Sequence, residues 1–181
     1  MSDISNELVM KASGGDMAAF EEIYRATSGF VYNIALRITN NRDDADEVVQ
    51  DVFLKVYRSL NGFGFRSSFK TWIYRIAANT AINYCKASER RSRGNVVYDP
   101  VAHDRLSADK SKEVLDKEEA GETVRRLLAA LDPDQRACVV LREIEGMDYA
   151  SIADVLRINI NTVRSRLKRA REKLLAIGKK G

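Results

Sequence analysis

Asn159-Ile-Asn-Thr-Val-Arg-Ser-Arg-Leu-Lys-Arg-Ala-Arg-Glu-Lys-Leu-Leu175 decides how the rest of the chain is read. Val163, Leu167, Ala170, Leu174 and Ile177 recur at spacings of three and four, which on a helix makes one inward stripe. Between them stand Arg164, Arg166, Lys168, Arg169, Arg171 and Lys173. From Asn161 to Lys180 there are eight basic residues and a single acid, Glu172. An ordinary solvated face mixes Glu with Lys as pairs one turn apart, and this one hardly does. Asn159 is the expected N-cap, its side-chain oxygen accepting an orphan amide of the first turn.

Just upstream, Asp148-Tyr-Ala-Ser-Ile-Ala-Asp-Val-Leu-Arg157 reads as a shorter helix with Ile152, Ala153, Val155 and Leu156 inward. A brief turn, Ile158 to Ile160, separates the two. A short helix, a tight turn and a basic helix form a helix-turn-helix, whose second helix enters the major groove of DNA. The competing reading is a solvated basic face on a helical hairpin. The sign imbalance favours DNA.

Working outward, the 181 residues carry 45% hydrophobic and 31% charged side chains, two prolines and no sustained alternation. The expected fold is all-α: two small helical domains, 1–93 and 118–181, joined by an acidic flexible linker over 94–117. The second is a four-helix domain ending in the helix-turn-helix. Net charge is +4 and the sequence pI about 9.1. Its distribution matters more. Phe65 to Arg93 holds seven bases and one acid, while Gly94 to Glu122 holds eight acids and four bases. Two basic blocks separated by an acidic tract point to two places that meet nucleic acid. Cys85, Cys138 and His103 are too few for a zinc site, and no other cofactor is called for. The cysteines fall in different domains, which fits a reducing cytoplasm. Asp3 and Glu7 interrupt the start where a signal peptide would be apolar, and no run is long enough for direct membrane insertion.

In the first domain, a short helix is expected to end at Gly14-Gly15. Asp16 then caps a helix with the stripe Phe20, Ile23, Tyr24, Phe30, Val31, Ile34, Ala35 and Ile38, which Gly29 bends or divides. Arg42 to Leu60 is the clearest helix, burying Ala45, Val48, Val49, Val52, Phe53, Val56 and Leu60. Its acids Asp43, Asp44, Asp46 and Glu47 suit the positive end of the helix dipole. Farther along, Glu47, Gln50, Asp51 and Leu54 lie together on the outer face, either as solvated surface or as a docking patch. The polar loop Asn61 to Ser68 contains Phe63 and Phe65, which either tuck into the core or offer stacking faces to unpaired bases. In the helix that follows, Trp72, Ile73, Ile76, Ala77, Thr80 and Tyr84 face inward. Arg75, Asn79, Asn83, Lys86 and Arg90 line an outer face, either a solvated stripe or a surface for phosphates and base edges. In the second domain, Val124, Leu127, Leu128 and Leu131 face inward on one helix. Asp132-Pro133 opens the next, with proline at the tolerated first position. That helix carries Ala137, Cys138, Val140, Leu141 and Ile144, stops at Gly146, and buries Cys138 as a small hydrophobe. His103 is read as an exposed linker residue.

Three stretches in this order resemble a bacterial RNA polymerase sigma factor of the extracytoplasmic-function class within the sigma-70 family. They are Asp44-Ala-Asp-Glu-Val-Val-Gln-Asp-Val-Phe-Leu-Lys-Val-Tyr-Arg58, Phe69-Lys-Thr-Trp-Ile-Tyr-Arg-Ile-Ala-Ala-Asn79, and Leu131-Asp-Pro through Glu145-Gly-Met-Asp-Tyr-Ala-Ser-Ile-Ala to Arg171. The resemblance covers nearly the whole chain. It implies a non-enzymatic factor that binds core RNA polymerase and directs it to −35 and −10 promoter elements. Glu47, Gln50, Asp51 and Leu54 would dock on the clamp coiled coil of the largest polymerase subunit. Phe63, Arg66, Arg75, Asn79, Asn83 and Lys86 would take the unpaired −10 strand, with a base flipped into a pocket and Trp72 as core support. Asn161, Thr162, Arg164, Ser165, Lys168 and Arg169 would read the −35 duplex, with Arg166 and Arg171 as phosphate clamps. It further implies an anti-sigma partner, itself often membrane-bound, and a factor that is monomeric without its partners. One departure stands out: the family usually has Phe-Arg-Gly in the loop, where this chain has Phe63-Gly64-Phe65-Arg66.

Two other classes compete with this reading. A free-standing helix-turn-helix regulator accounts for the second domain only, and the chain lacks the heptads or apolar face of a dimer reading paired half-sites. A nucleic-acid enzyme lacks a phosphate-cradling glycine loop or a carboxylate cluster outside a helix start. Asp43, Asp44, Asp46 and Glu47 point in different directions around a helix, which is poor geometry for a metal.

Overall fold

The computed structural model describes residues 4–94 and 112–179. Among the described residues eight α-helices follow one another: α1 (Asn6–Ser13), α2 (Met17–Thr39), α3 (Arg42–Ser59), α4 (Phe69–Gly94), α5 (Lys112–Ala129), α6 (Pro133–Val139), α7 (Tyr149–Leu156) and α8 (Ile160–Gly178). No strand occurs among the described residues. The linker expected over 94–117, His103 included, lies outside the described residues except at its ends. Both ends are helical: α4 closes at Gly94 and α5 opens at Lys112.

Local chemistry sets the helix boundaries. The Asp16 carboxylate accepts from the amides of Ala18 and Ala19 at 2.9 and 3.1 Å and so opens α2. Gly29 neither breaks nor divides that helix, which runs unbroken to Thr39. Asn40 ends it in the left-handed region at φ 60°, and Asn41 immediately caps α3 by accepting from the Asp44 amide at 3.0 Å. Two asparagines thus make the whole α2–α3 corner, one for each task this residue type does well. Asp132 caps α6 through the Gln135 amide, with Pro133 at the first position as expected. That helix widens into one π turn over Val140–Ile144 and ends at Gly146, whose φ of +70° suits a residue with no Cβ.

In the first unit, Ile23, Val31, Ile34, Ala35 and Ile38 of α2 meet Val48, Val52 and Val56 of α3 and Ile73 and Ala77 of α4, all fully buried. In the second, Leu141, Ile152, Val155, Val163, Leu167 and Ala170 close around one another. Cys138 is fully buried there, and burial pushes its thiol up to about 11, as it does for Cys85 in α4. Several apolar residues expected inside are exposed instead: Tyr24, Val124, Ile144 and Ile177. Each lies at the edge of a stripe or near a helix end, where the 3.6-residue turn carries the position off the packed face.

The two units are packed against each other. α4 is the shared wall, packing on α2 and α3 and also on α6 and α7, while α2 reaches α6 directly. The buried apolar residues of both units form one contiguous cluster. Arg136 of α6 bolts the junction: its guanidinium, almost fully buried, donates to the Ile38 carbonyl of α2 at 2.7 Å and to the Leu131 carbonyl at 2.9 Å. Ile38 belongs to the last turn of α2, where helical carbonyls lack intrahelical partners and a cation is favoured.

Candidate nucleic-acid and polymerase interfaces

The helix-turn-helix is built from its caps outward. Asp148 opens α7 by accepting from the Ser151 amide at 2.7 Å. Arg157 turns the chain in the left-handed region at φ 53°, and Asn159 accepts from the Asn161 amide at 2.8 Å to open α8. Val163, Leu167 and Ala170 are buried against α6 and α7. That fixes the rotation of α8 and turns Asn161, Arg164, Ser165, Lys168 and Arg169 outward on one face. Arg164 donates to the Asn161 side chain at 2.9 Å, and the Ser165 hydroxyl to the Thr162 carbonyl at 2.9 Å. Thr162 is half-buried. Lys168 has a loose partner in Glu172 at 3.9 Å, whereas Arg169 has no ion pair among the described residues. Arg166 and Arg171 sit on the flanks and are engaged, Arg166 with Asp134 at 3.2 Å and Arg171 with Glu143 at 2.9 Å.

On α3, Glu47, Gln50, Asp51 and Leu54 are all exposed, as the periodicity predicts. The Tyr84 hydroxyl donates to Glu47 at 2.8 Å, with Asp44 also within reach at 3.0 Å, and burial together with these carboxylates raises the Tyr84 pKa. Leu54 is 52% exposed and lines an open groove with Gln50, Phe53 and Tyr57 of α3 and Met17, Phe20 and Tyr24 of α2. The groove residues of α2 were missed because their spacing is that of a core stripe. Tyr57, three residues beyond Leu54, was findable from the same outer-face periodicity.

The aromatic loop sets its two phenylalanines apart. Phe63 is 8% exposed, whereas Phe65 is 42% exposed with a backbone φ of +52°. The Phe63 ring lies 5.8 Å from Phe69, 5.1 Å from Trp72 and 4.8 Å from Phe65, measured between centroids. Phe63 is therefore the floor of the aromatic cluster, and Phe65 is the ring offered to solvent. A positive φ at so bulky a residue is rare, and hydrophobic pattern carries no signal for it. Trp72 is half-buried on the cluster, in its expected supporting place. Arg66 and Asn83 are exposed.

Arg75, Asn79 and Lys86 do share one face of α4, but that face meets the second unit. Arg75 donates to Asp154 of α7 at 2.6 Å. The Asn79 amide donates to the Val155 and Arg75 carbonyls, both at 2.8 Å. Lys86 pairs with Asp134 of α6 at 2.7 Å. Beside them, Glu145 accepts from the Tyr74 hydroxyl at 2.6 Å and pairs with Arg37 at 3.2 Å; burial and that carboxylate raise the Tyr74 pKa. Among the described residues, no three of His, Cys, Asp and Glu converge as metal ligands, and no helix is long and apolar enough to cross a membrane.

The family model for sigma-70 region 2 matches residues 23–91, and that for sigma-70 region 4 matches residues 121–174. Region 2 followed by region 4, both helical, is the plan of a sigma-70-type transcription factor. RNA polymerase sigma-H factor of Pseudomonas aeruginosa is 34% identical over 172 residues, spanning 92% of this chain and 89% of that one. ECF RNA polymerase sigma-E factor of Escherichia coli K12 is 37% identical over 171 residues, spanning 91% and 89%. The chain belongs to the extracytoplasmic-function (ECF) family of RNA polymerase sigma factors. Among solved structures, CnrH in complex with the cytosolic domain of CnrY is similar, with a TM-score of 0.62, 27% identity and 94% of both chains covered. The sigma factor RpoE from Bartonella quintana, solved with the anti-sigma factor NepR, shares the fold at a TM-score of 0.64 and 22% identity, covering 88% of this chain and 96% of that one.

Proposed function

We propose that this sigma factor divides promoter recognition between α8 and α4 and meets core RNA polymerase through the outer face of α3. The carrying observation is the outward face of α8, where Asn161, Arg164, Ser165, Lys168 and Arg169 stand together, Arg169 with no ion pair among the described residues. Arginine bidentate to guanine is the commonest specific contact in the major groove. Arg164, Ser165, Lys168 and Arg169 read the −35 duplex, Asn161 and Thr162 support the helix start, and Arg166 and Arg171 hold flanking phosphates. Arg75, Asn79, Asn83, Lys86 and Arg66 take the opened −10 strand. Phe65, rather than Phe63, is the ring on which an unpaired base stacks. Glu47, Gln50, Asp51 and Leu54 dock on the polymerase clamp. Control by an anti-sigma protein is part of this reading, in line with RpoE of Bartonella quintana, which shares the fold and was solved with the anti-sigma factor NepR. The factor itself performs no catalysis; it supplies specificity and opening to the polymerase.

The test is binding of purified core polymerase followed by transcription from a genomic fragment library. Stable binding with a few defined start sites is the expected result; binding to DNA as a dimer without polymerase would instead identify a free-standing regulator. With the promoter in hand, Arg169→Ala is expected to weaken the preferred −35 duplex by about 1–3 kcal/mol and relax one base position. An equal loss on every −35 sequence would make Arg169 a phosphate contact. Asn79→Ala is expected to spare −35 binding but lower open complex by about tenfold, the order of one lost hydrogen bond. Permanganate reactivity of the −10 thymines reads that change directly, and unchanged reactivity would remove Asn79 from the strand site.

A further inference from the structure

We propose that Tyr84 of α4 is a positioning residue for polymerase docking: its hydroxyl holds the Glu47 carboxylate of α3 in a fixed orientation, ready to receive a lysine or arginine of the polymerase. This rests on the reading of Glu47, Gln50, Asp51 and Leu54 as the docking face. The hydroxyl lies 2.8 Å from Glu47 Oε2 and 3.0 Å from Asp44 Oδ1. A phenol carries one proton and donates to one carboxylate at a time. Asp44 and Glu47 stand one turn apart on α3, so both reach the same hydroxyl. Asp44 has a second source of stabilisation, because it lies in the first turn of α3, at the positive end of the helix dipole. Exposed Glu47 makes no other side-chain hydrogen bond or ion pair among the described residues.

The tether is anchored at its other end. The Tyr84 ring is half-buried against the core, and the Arg91 guanidinium carbon sits 5.9 Å from its centroid, within cation–π range. Tyrosine has only two side-chain torsions and little freedom left to lose once its ring is packed. Glutamate is among the side chains that lose most rotamer freedom when ordered. A carboxylate already held in the unbound factor has less to lose at docking, which raises affinity without any added contact. The tether uses Oε2 alone, so Oε1 is left to accept from an incoming cation. Gln50 and Asp51 follow at three and four residues on the same exposed face. The held carboxylate therefore marks the N-terminal rim of the docking patch around Leu54.

The experiment uses the full chain, fluorescently labelled, and purified core RNA polymerase, with anisotropy for affinity. The variants are Tyr84→Phe, which keeps the ring and removes only the hydroxyl, Glu47→Ala at an exposed helix position, and the two combined. Tyr84→Phe should weaken core binding about fivefold, the order of one long side chain left to be ordered at the interface. Glu47→Ala should weaken it at least as much. In the Glu47→Ala background Tyr84→Phe should have no further effect, since no carboxylate is left to position. A hydroxyl that only tied α3 to α4 would lower affinity equally in both backgrounds, and that result would overturn the proposal. Wild-type affinity for Tyr84→Phe alongside weak binding by Glu47→Ala would also overturn it, while leaving the docking face in place. If Glu47→Ala and Leu54→Asp both bound core polymerase as the wild type does, the docking reading would fall, and the proposal with it.

Discussion

Leu54→Asp is expected to lower affinity for core RNA polymerase by about 30-fold or more, the roughly 2 kcal/mol that marks an interface hot spot. Leu54 projects from α3 at 52% exposure into the groove that Tyr57, Phe53, Met17, Phe20 and Tyr24 line. An apolar side chain surrounded by rings, with Gln50 and Asp51 beside it, has the anatomy of a contact centre with a polar rim. A carboxylate there loses the apolar contact and must be desolvated without a partner whenever the surface is covered. In the uncomplexed protein the same change faces water, so the melting temperature should hardly move. Competition between variant and wild type for limiting core enzyme measures the effect. Gln50→Ala with Asp51→Ala should reduce binding less, since rim charges contribute mainly to association rate. Undiminished binding by Leu54→Asp would place the polymerase contact on another surface.

The largest expected loss of stability comes from Leu167→Ala. This side chain is 1% exposed at the centre of the α8 stripe, between Val163 and Ala170. Truncation removes buried apolar area and leaves a cavity that short, capped helices close poorly, at a cost of about 2–5 kcal/mol. For a protein whose total stability is on the order of 5–15 kcal/mol, that is a large share. Urea denaturation should show a lower midpoint. Binding of −35 duplex should fall as well, although Leu167 touches no DNA, because packing of α8 against α6 and α7 is what aims its outer face. Retention of full stability would mean that α8 is held by its caps and flanking ion pairs instead.

Much of this was legible from spacing. Val163, Leu167 and Ala170, and likewise Ala45, Val48, Val52 and Val56, announce their helices and their buried sides because a 3.6-residue period leaves little choice. Asp16, Asp132 and Asn159 announce the helix starts. The outer faces of α3 and α8 follow as the complements of those stripes. What stayed hidden depends on contacts between segments distant in the chain. The Arg75 stripe has the same sequence pattern whether it faces water, DNA or another part of the protein. Phe63 and Phe65 are the same residue type two positions apart in a loop, and nothing in their spacing tells that Phe63 is buried while Phe65, at a positive φ, is exposed. Arg136 would pass for a surface cation by composition, yet it is buried against the last turn of α2.

If the Arg75 face of α4 takes the strand as proposed, α6 and α7 must first leave it, and recognition becomes a matter of populations. A conformer able to bind is diluted by every molecule in the other state, and apparent affinity falls by that same fraction. A factor open about 1% of the time binds any open-state partner about 100-fold more weakly than its contacts alone would give. Arg136 is buried at the junction, and its bonds to Ile38 and Leu131 would help to set that fraction. Sequence change at such junction residues would then act as a volume control, scaling the output of every promoter the factor serves by one common ratio while leaving its choice among promoters intact.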